Sequence, residues 1–181
     1  MRIVLDACVL FPTVLREILI GTAATGAFTP LWSPRILEEW ARATRRLPPG
    51  AEAIARAEIA ILRADWPASE VAPPPDLVET LSLPDADDRH VLAAAIAGDA
   101  DVLMTLNTRD FPSRTLARHG ILLRGPDGFL AELNAGGVDM TTISGRVQAR
   151  AEAASGRPRP LRALLKRAGL PRLGKALSSP N

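Results

Sequence analysis

Short apolar runs that alternate with helix-like segments are the feature that most constrains the fold of this 181-residue chain. The clearest runs cover residues 3–5, 29–32, 102–105 and 121–123, and helical or turn residues follow each of them. Strands this short and this apolar are typical of a parallel sheet that is buried on both faces. The alternation therefore predicts an α/β fold with a central parallel sheet.

Helices are predicted between and after these strands. Ser33 followed by Pro34 indicates a helix start, because Ser is a favoured N-cap and Pro fits the first helical position. Residues 67–75 are rich in Pro and predict a connector, in which Val71 is able to pair with a sheet edge. The predicted helices lie near residues 14–24, 34–46, 51–64, 85–97, 113–118, 126–133, 140–154 and 160–168.

The net charge of +2 conceals a division of the chain into an acidic part and a basic part. Residues 1–139 contain 13 basic and 19 acidic residues, whereas residues 140–181 contain 9 basic residues and one acid. The balances are −6 and +8. Because Gly136 and Gly137 mark a boundary between these parts, we predict one domain over residues 1–137 and a basic helical extension over residues 138–181.

Several classes of protein are excluded by composition. The single cysteine, Cys8, rules out an internal disulfide framework and a multi-cysteine zinc site, and its apolar surroundings favour a small buried residue. Two histidines are too few for a histidine-rich metal site. The sequence has neither a signal-peptide pattern nor a stretch of the roughly 20 apolar residues that span a membrane. We therefore expect a soluble, cytoplasmic protein without a membrane partner.

Carboxylates cluster at the ends of two predicted strands and the starts of two predicted helices. In open parallel sheets, binding sites lie at the carboxyl ends of the strands, so these residues are candidates for one site. Carboxylates without Cys or His are the ligands that Mg²⁺ and Mn²⁺ prefer. The candidates are Asp6, Glu38, Glu39, Asp85, Asp87, Asp88, Thr105, Asn107 and Asp110.

Structural roles remain open for most of these residues. Asp85 and Asp88 have the spacing of a capping box, and acids there also complement the helix dipole. One of Glu38 and Glu39 is expected to be an ordinary surface acid. Asn107 fits a turn as well as it fits a neutral ligand, and Asp110 fits a turn start. Asp6 is hardest to explain structurally, because an acid directly after a buried strand has little structural use.

The ordered set of segments resembles the PIN domain family, and in particular bacterial toxin-type PIN proteins of the VapC-like group. The resemblance rests on residues 3–6, 33–40, 83–95 and 105–112. Residues 161–165 and 169–171 are similar to the tail of one PIN subgroup. The resemblance implies a three-layer α/β/α PIN-like fold with a central parallel sheet, a C-terminal helical extension and a metal-dependent nuclease site.

Site residues follow from the resemblance position by position. It implies that the catalytic and metal-binding residues are Asp6, Glu39, Asp88 and Asp110. Asp85, Thr105 and Asn107 are expected to lie around them or to orient the substrate, with Thr105 orienting Asp6 or the attacking water. The chain departs from the family at Asn107, where Asp is frequent, and the spacing from Thr105 to Asp110 is one residue longer than the commonest form. The site therefore has one negative charge fewer.

The expected function is a Mg²⁺- or Mn²⁺-dependent endoribonuclease, which the resemblance identifies as the toxin of a type II toxin–antitoxin system. The alternatives are a catalytically weak RNA-binding or protein-interaction module that keeps the fold, and a DNA-directed nuclease of the same fold. Neither a Gly-x-Ser-x-Gly motif nor a P-loop supports another chemistry. The basic extension suits RNA phosphates, an acidic partner such as an antitoxin, or a solvated appendage. A homodimer is left open.

Overall fold

The computed structural model describes residues 1–178, so the last three residues of the predicted extension, 179–181, lie outside the described part. Its sheet contains four parallel strands in the order β2-β1-β3-β4. The strands are β1 (Arg2–Leu5), β2 (Thr29–Leu31), β3 (Val102–Met104) and β4 (Leu122–Arg124). The predicted α/β class with a central parallel sheet is confirmed, as in the three-layer fold that the resemblance implies.

Helices follow each strand and continue to the C-terminal end of the described chain. They are α1 (Ala7–Leu10), α2 (Thr13–Ala23), α3 (Pro34–Ala43), α4 (Ala51–Asp65), α5 (Pro75–Thr80), α6 (Arg89–Ala97), α7 (Ser113–Ala117), α8 (Pro126–Ala135), α9 (Met140–Ser155), α10 (Leu161–Arg167) and α11 (Pro171–Ala176). A 3₁₀ turn over Thr44–Arg46 joins α3 to the loop before α4. Within the described residues, no helix is both long and apolar enough to cross a membrane.

The described chain forms two compact units. The first consists of Met1–Phe11 and Thr29–Arg124, and it contains the sheet with α1 and α3–α7. The second consists of Pro12–Phe28 and the chain from Gly125 onward, with α2 and α8–α11. The division at residue 137 that charge and glycines indicate stays a prediction.

The core of the first unit is built on the two central strands, β1 and β3. Ile3, Val4 and Leu5 are completely buried, which explains why the run lacks polar alternation. Pro30 lies in β2, an edge strand, where a missing backbone donor is tolerated. Ser33 begins α3 as the motif predicts, and its hydroxyl accepts a hydrogen bond from the backbone N–H of Ile36 at 3.2 Å.

The second unit is held together by close helix packing. A Cβ atom at Gly21 of α2 would lie 3.1 Å from the side chain of Ile143 on α9, so the two helices approach closely where glycine stands. Phe28 and Phe129 meet edge to face with ring centroids 5.7 Å apart, a favourable aromatic geometry. The second unit therefore has a core of its own.

One predicted helix begins later than its sequence pattern indicates. The expected helix over residues 85–97 is helical only from Arg89, and residues 85–88 form turns before it. The Asp85 carboxylate accepts a hydrogen bond from the backbone N–H of Asp87 at 2.8 Å. Because such a side-chain bond closes a local turn, it competes with the first helical turn. Asp88 is thereby placed at the N-cap of α6.

Candidate metal centre

Three carboxylates converge beside the carboxyl end of the sheet. Each of Asp85, Asp88 and Asp110 offers an oxygen atom, and these atoms all lie within 4.8 Å of one another. Asp85 is exposed, whereas Asp88 and Asp110 are half-buried. We call these three residues the acidic trio. Asp85 and Asp88 come from the turn before α6, and Asp110 comes from the loop after β3.

Asp6 lies next to this group, at the end of β1. Its side chain is buried, and its Oδ2 atom accepts a hydrogen bond of 2.6 Å from the Thr105 hydroxyl. Thr105 directly follows β3 and is itself fully buried. Because β1 and β3 are paired neighbours, their ends bring these two polar residues together. Both side chains thus occupy the place that the parallel-sheet rule predicts.

Cys8 makes contacts with Asp6 that its sequence context does not suggest. Its thiol donates to Asp6 Oδ2 at 3.0 Å and lies 3.2 Å from the Thr105 hydroxyl oxygen. Burial, together with the charge of Asp6, raises the pKa of the Cys8 thiol to about 12, so the thiol stays protonated at neutral pH. The sequence indicated only a small buried residue. Its position two residues after Asp6 is the signal that places it at the site.

Asn107 has a definite partner in this loop. Its side-chain amide donates a hydrogen bond to Oδ2 of Asp110, and its backbone N–H donates to the Thr105 hydroxyl at 2.9 Å. An aspartate at this position would have no proton to donate and would add a negative charge beside Asp110. The departure from the family pattern therefore gives Asp110 a neutral donor in place of a repelling carboxylate.

The electrostatics of the trio show where negative charge accumulates. Burial raises the pKa of the Asp88 carboxyl to about 6, and neighbouring carboxylates add to the effect. Those neighbours are Asp6, Asp85 and Asp110, in decreasing order of effect. Like charges at short range disfavour ionisation unless a cation lies between them. The set of donor atoms and its uncompensated charge therefore both fit a hard divalent cation.

Glu39 does not join the acidic trio in this structure. Its Oε1 atom accepts a hydrogen bond from Arg35 Nε at 3.3 Å, a helical i,i+4 pair. Nε2 of the buried His90 lies 2.8 Å from the same oxygen, without the alignment of a hydrogen bond. The sequence indicated that His90 is a packing or surface residue, and the structure buries its ring beside Glu39.

Glu38, the other acid of this pair, belongs to an ion-pair network between α3 and α4. Its carboxylate accepts hydrogen bonds from Arg42 at 2.8 Å and from Arg56 at 2.9 Å. These partners lower the pKa of Glu38 to about 2. Glu38 is therefore engaged on the surface of the two helices, as expected for one member of the pair.

A family model described as the PIN domain matches residues 2–109, which is more than half of the chain. The chain belongs to the PIN domain family. No curated protein and no solved structure gives a significant match. Proteins with this domain are generally nucleases that use divalent metal ions, so the acidic trio lies in a PIN domain where a metal-dependent nuclease site is expected.

The matched region includes most of the predicted site residues of this PIN domain but not all of them. Asp6, Asp88 and Asn107 lie within it, whereas Asp110 lies one residue beyond its end. The carry-over of a role to Asp110 therefore depends on its position in the acidic trio. The catalytic roles of all these residues stay predictions.

Proposed function

We propose that this PIN domain is a metal-dependent endoribonuclease that hydrolyses RNA phosphodiester bonds with Mg²⁺ or Mn²⁺. The observation that carries the proposal is the convergence of the acidic trio beside the buried Asp6 carboxylate. Three carboxylates within 4.8 Å of one another form an oxygen-rich site of the kind that binds such ions. The choice of RNA rests on the resemblance to toxin-type PIN proteins.

The residues around the site would have separate roles in binding the cation and orienting Asp6. Asp88 and Asp110 are half-buried, so they would hold the cation most rigidly, and Asp85 would close the site from the solvent side. Thr105 and Cys8 both contact Oδ2 of Asp6, which orients that carboxylate and leaves Oδ1 outside these contacts. A bound divalent ion lowers the pKa of a coordinated water and neutralises charge on the reacting phosphoryl group.

Glu39 would join the acidic trio only when metal and RNA are bound. Arg35 and His90 both contact Oε1 of Glu39, so these contacts do not engage its second oxygen. We propose that Glu39 approaches the cation with that oxygen when metal and RNA are bound. Its pairing with Arg35 is a helical surface pair of a kind worth only about 0.5 kcal/mol, which a metal contact readily outweighs.

The decisive experiment compares cleavage of a labelled RNA by the wild-type protein and by the variants Asp88→Asn, Asp87→Asn and Asp6→Asn. Asp88→Asn removes a trio carboxylate, whereas Asp87→Asn changes a side chain that is 94% exposed and lies outside the trio. We expect cleavage with Mn²⁺ or Mg²⁺ in the wild-type and Asp87→Asn proteins. Removing the metal with EDTA, or introducing Asp88→Asn or Asp6→Asn, should reduce the rate at least 100-fold, as expected for a lost metal site.

Two results would contradict the proposal. Cleavage that persists in EDTA or in Asp6→Asn would show that the acidic residues do not hold an essential cation. Cleavage of a DNA strand of the same sequence, with RNA left intact, would identify a DNA-directed nuclease of the same fold instead.

Two observations favour a second function: Asn107 stands where the family frequently has a charged residue, and Glu39 lies outside the trio. A site with fewer charges near the cation suits a catalytically weak module that binds RNA or protein without turnover. RNA binding without cleavage at millimolar Mn²⁺, with cleavage appearing in Asn107→Asp, would support this candidate.

We also propose that the protein acts as the toxin of a type II pair with an antitoxin partner. The support is the resemblance to the VapC-like group. Induced expression should then arrest growth in the wild-type but not in Asp88→Asn, and co-expression of a small protein from the neighbouring gene should restore growth. Normal growth with active, soluble wild-type protein would contradict the toxin role while leaving the ribonuclease proposal intact.

A further inference from the structure

The outer face of α10 carries three exposed cations, Arg162, Lys166 and Arg167. We call these three residues the basic face. Arg162 and Lys166 are four residues apart and therefore lie on the same side of the helix, and Arg167 lies next to Lys166. Within the described residues, no ion pair joins any of the three to a carboxylate.

The arginines on α3 and α4 and in the loop between them are engaged differently, except for Arg46, which donates to the backbone carbonyl of Ala43 at 3.4 Å. Arg42, for example, lies 2.8 Å from Glu38, and Arg63 lies 2.6 Å from Glu70. The arginines of this region that pair with carboxylates are Arg35, Arg42, Arg45, Arg56 and Arg63. The basic face therefore differs from this region in having charge that the protein itself does not neutralise.

Two acidic residues of the second unit, Asp127 and Glu152, have hydrogen-bond partners other than the basic face. Both carboxylate oxygens of Asp127 accept hydrogen bonds of 3.0 Å from the backbone N–H groups of Arg172 and Leu173 at the start of α11. Glu152 accepts from the backbone N–H of Arg159 at 2.7 Å and from the Gln148 amide at 3.4 Å. These two carboxylates hold backbone and amide groups of the second unit, and neither forms an ion pair with Arg162, Lys166 or Arg167.

Helix stability accounts for two of the three cations of the basic face but not for Arg162. Lys166 and Arg167 lie in the last turn of α10, where cations interact favourably with the helix dipole. Arg162 lies in the first turn, where a positive charge is unfavourable for the same reason. An external negative charge would therefore be more favourable for Arg162 than its own helix terminus is.

The side of α10 opposite the basic face is packed tightly against neighbouring residues. Leu164 and Leu165 of α10 are buried, and so are Leu170 and Leu173 at the start of α11. A Cβ atom at Gly174 would lie 3.4 Å from Leu165, so α11 packs tightly against α10. Because the apolar side is used for packing, only the cationic side of α10 faces solvent.

The chemistry of the basic face distinguishes between two kinds of partner. Protein interfaces centre on aromatic and aliphatic anchors, but residues 140–178 expose no large apolar side chain. The exposed large apolar residues in the described chain are Met1, Leu47, Ile54, Ile61, Leu106 and Leu122. A surface with cations and no apolar anchor fits the phosphates of a nucleic acid, and the lack of aromatic residues in the extension excludes base stacking there.

We propose that Arg162, Lys166 and Arg167 bind the phosphodiester backbone of the nucleic acid on which this PIN domain acts. The identity of that nucleic acid as RNA rests on the proposed function. Phosphate contacts of this kind carry no base information, so the basic face supplies affinity and leaves sequence preference to other residues.

The test measures binding of a labelled single-stranded RNA to the full-length protein by fluorescence anisotropy, in EDTA, across a series of NaCl concentrations. The variant combines Arg162→Gln, Lys166→Gln and Arg167→Gln. Each lost phosphate contact lowers the slope of log K against log salt by about 0.7 for a single strand, so the slope should fall by about 2. That change corresponds to roughly 100-fold weaker binding at 0.1 M salt than the wild type, converging near 1 M.

A matched triple variant controls for net charge. Arg42→Gln, Arg45→Gln and Arg63→Gln remove the same number of positive charges from exposed residues that are paired with carboxylates. In this control the slope of log K against log salt should stay within about 0.5 of the wild-type value, because paired carboxylates already neutralise the charge of those arginines. Thermal unfolding of both triple variants checks that each remains folded.

Three outcomes would overturn the inference. An unchanged salt slope in the α10 variant, or an equal loss in the control, would show that the basic face makes no specific phosphate contacts. Tighter binding of poly-glutamate than of RNA at equal charge would assign the face to an acidic protein partner. Because the binding assay contains no metal, its failure is distinct from a failure of the wild-type protein to cleave RNA with Mn²⁺.

Discussion

The carboxyl of Asp88 links metal binding to stability at the scale of a single residue. Its pKa is raised to about 6, so between about pH 4 and pH 6 the folded protein binds more protons at this site than the unfolded chain does. The stability contributed by the protonated form is therefore present at low pH and lost as the pH rises through 6.

Asp88→Asn should accordingly stabilise the metal-free protein while abolishing its metal binding. We expect an increase of about 1 kcal/mol in the free energy of unfolding at pH 7.5 in EDTA, after allowance for partial exposure to solvent. At about pH 3.5, below the ordinary pKa of an aspartate, the two proteins should be nearly equally stable. Urea denaturation at both pH values checks this, and a destabilised variant at pH 7.5 would contradict the assigned charge repulsion.

Asn107→Asp tests the departure of this chain from the family pattern. The change removes the donor to Asp110 and adds a carboxylate, so the metal-free protein should lose about 1 kcal/mol of stability. A charge added within a few ångströms of a divalent cation should tighten Mn²⁺ binding about tenfold or more. Calorimetric titration of Mn²⁺ provides the measurement.

Asn107→Ala serves as the matched control for this prediction, because it removes the donor without adding charge. It should destabilise the protein without tightening Mn²⁺ binding. If both variants bind Mn²⁺ as the wild type does, Asn107 lies too far from the cation to influence it.

Part of the candidate site was predictable from single residues. Asp6 follows a buried strand, and strand pairing places Thr105 beside it. Glu39 could not be placed in this way, because its orientation depends on Arg35 and on a histidine from another helix. The spacing of residues along one helix predicts which face a residue occupies. It does not predict which neighbouring side chain its carboxylate contacts.

At the scale of elements, a single carboxylate anchors α11. Asp127 lies on α8, and its two oxygens bond to the first backbone N–H groups of α11. Those groups have no partner within the helix, so a side chain from elsewhere satisfies them.

Asp127→Ala should therefore cost about 1 kcal/mol of stability, as for a lost helix cap. Hydrogen exchange at the backbone amides of Arg172 and Leu173 should accelerate most, since these amides lose their acceptor. Asp127→Asn keeps one acceptor oxygen and turns its NH2 group toward the other N–H, so it should retain protection at only one of the two amides. Unchanged exchange in the alanine variant would show that water replaces the carboxylate without loss.

Sequence patterns predicted the longer elements better than the shorter ones. The predicted helix over residues 140–154 appears as α9, because a long segment carries enough periodicity to identify it. Three short helices, α1, α5 and α11, were not predicted, because four to six residues show less than two helical turns, although the five-residue α7 lies within a predicted helix. Their existence depends on tertiary packing and on caps such as Asp127.

At the scale of the whole molecule, metal binding should raise the thermal stability of the protein. A ligand that binds only the folded state stabilises it by about 2.7 kcal/mol at 100 times its dissociation constant. For a chain of this length the expected rise in Tm is roughly 5–10 °C. Differential scanning fluorimetry with Mn²⁺ measures it.

One substitution inside the acidic trio and one outside it provide the control for this prediction. Asp110→Asn should abolish the rise in Tm, whereas Asp87→Asn should leave it unchanged, because Asp87 stands outside the trio. An equal rise in all three proteins would indicate Mn²⁺ binding elsewhere on the surface.

The sequence by itself determined the class of fold, a set of candidate carboxylates for a cation site and the unequal distribution of charge. Buried strands and helix starts are local patterns, so they can be read from residue order. Only the tertiary structure decided that Asp85 joins Asp88 and Asp110, that Glu39 pairs with Arg35, and that the cations of α10 have no carboxylate partner. These outcomes depend on which side chains meet after distant segments pack, and residue order alone does not specify those contacts.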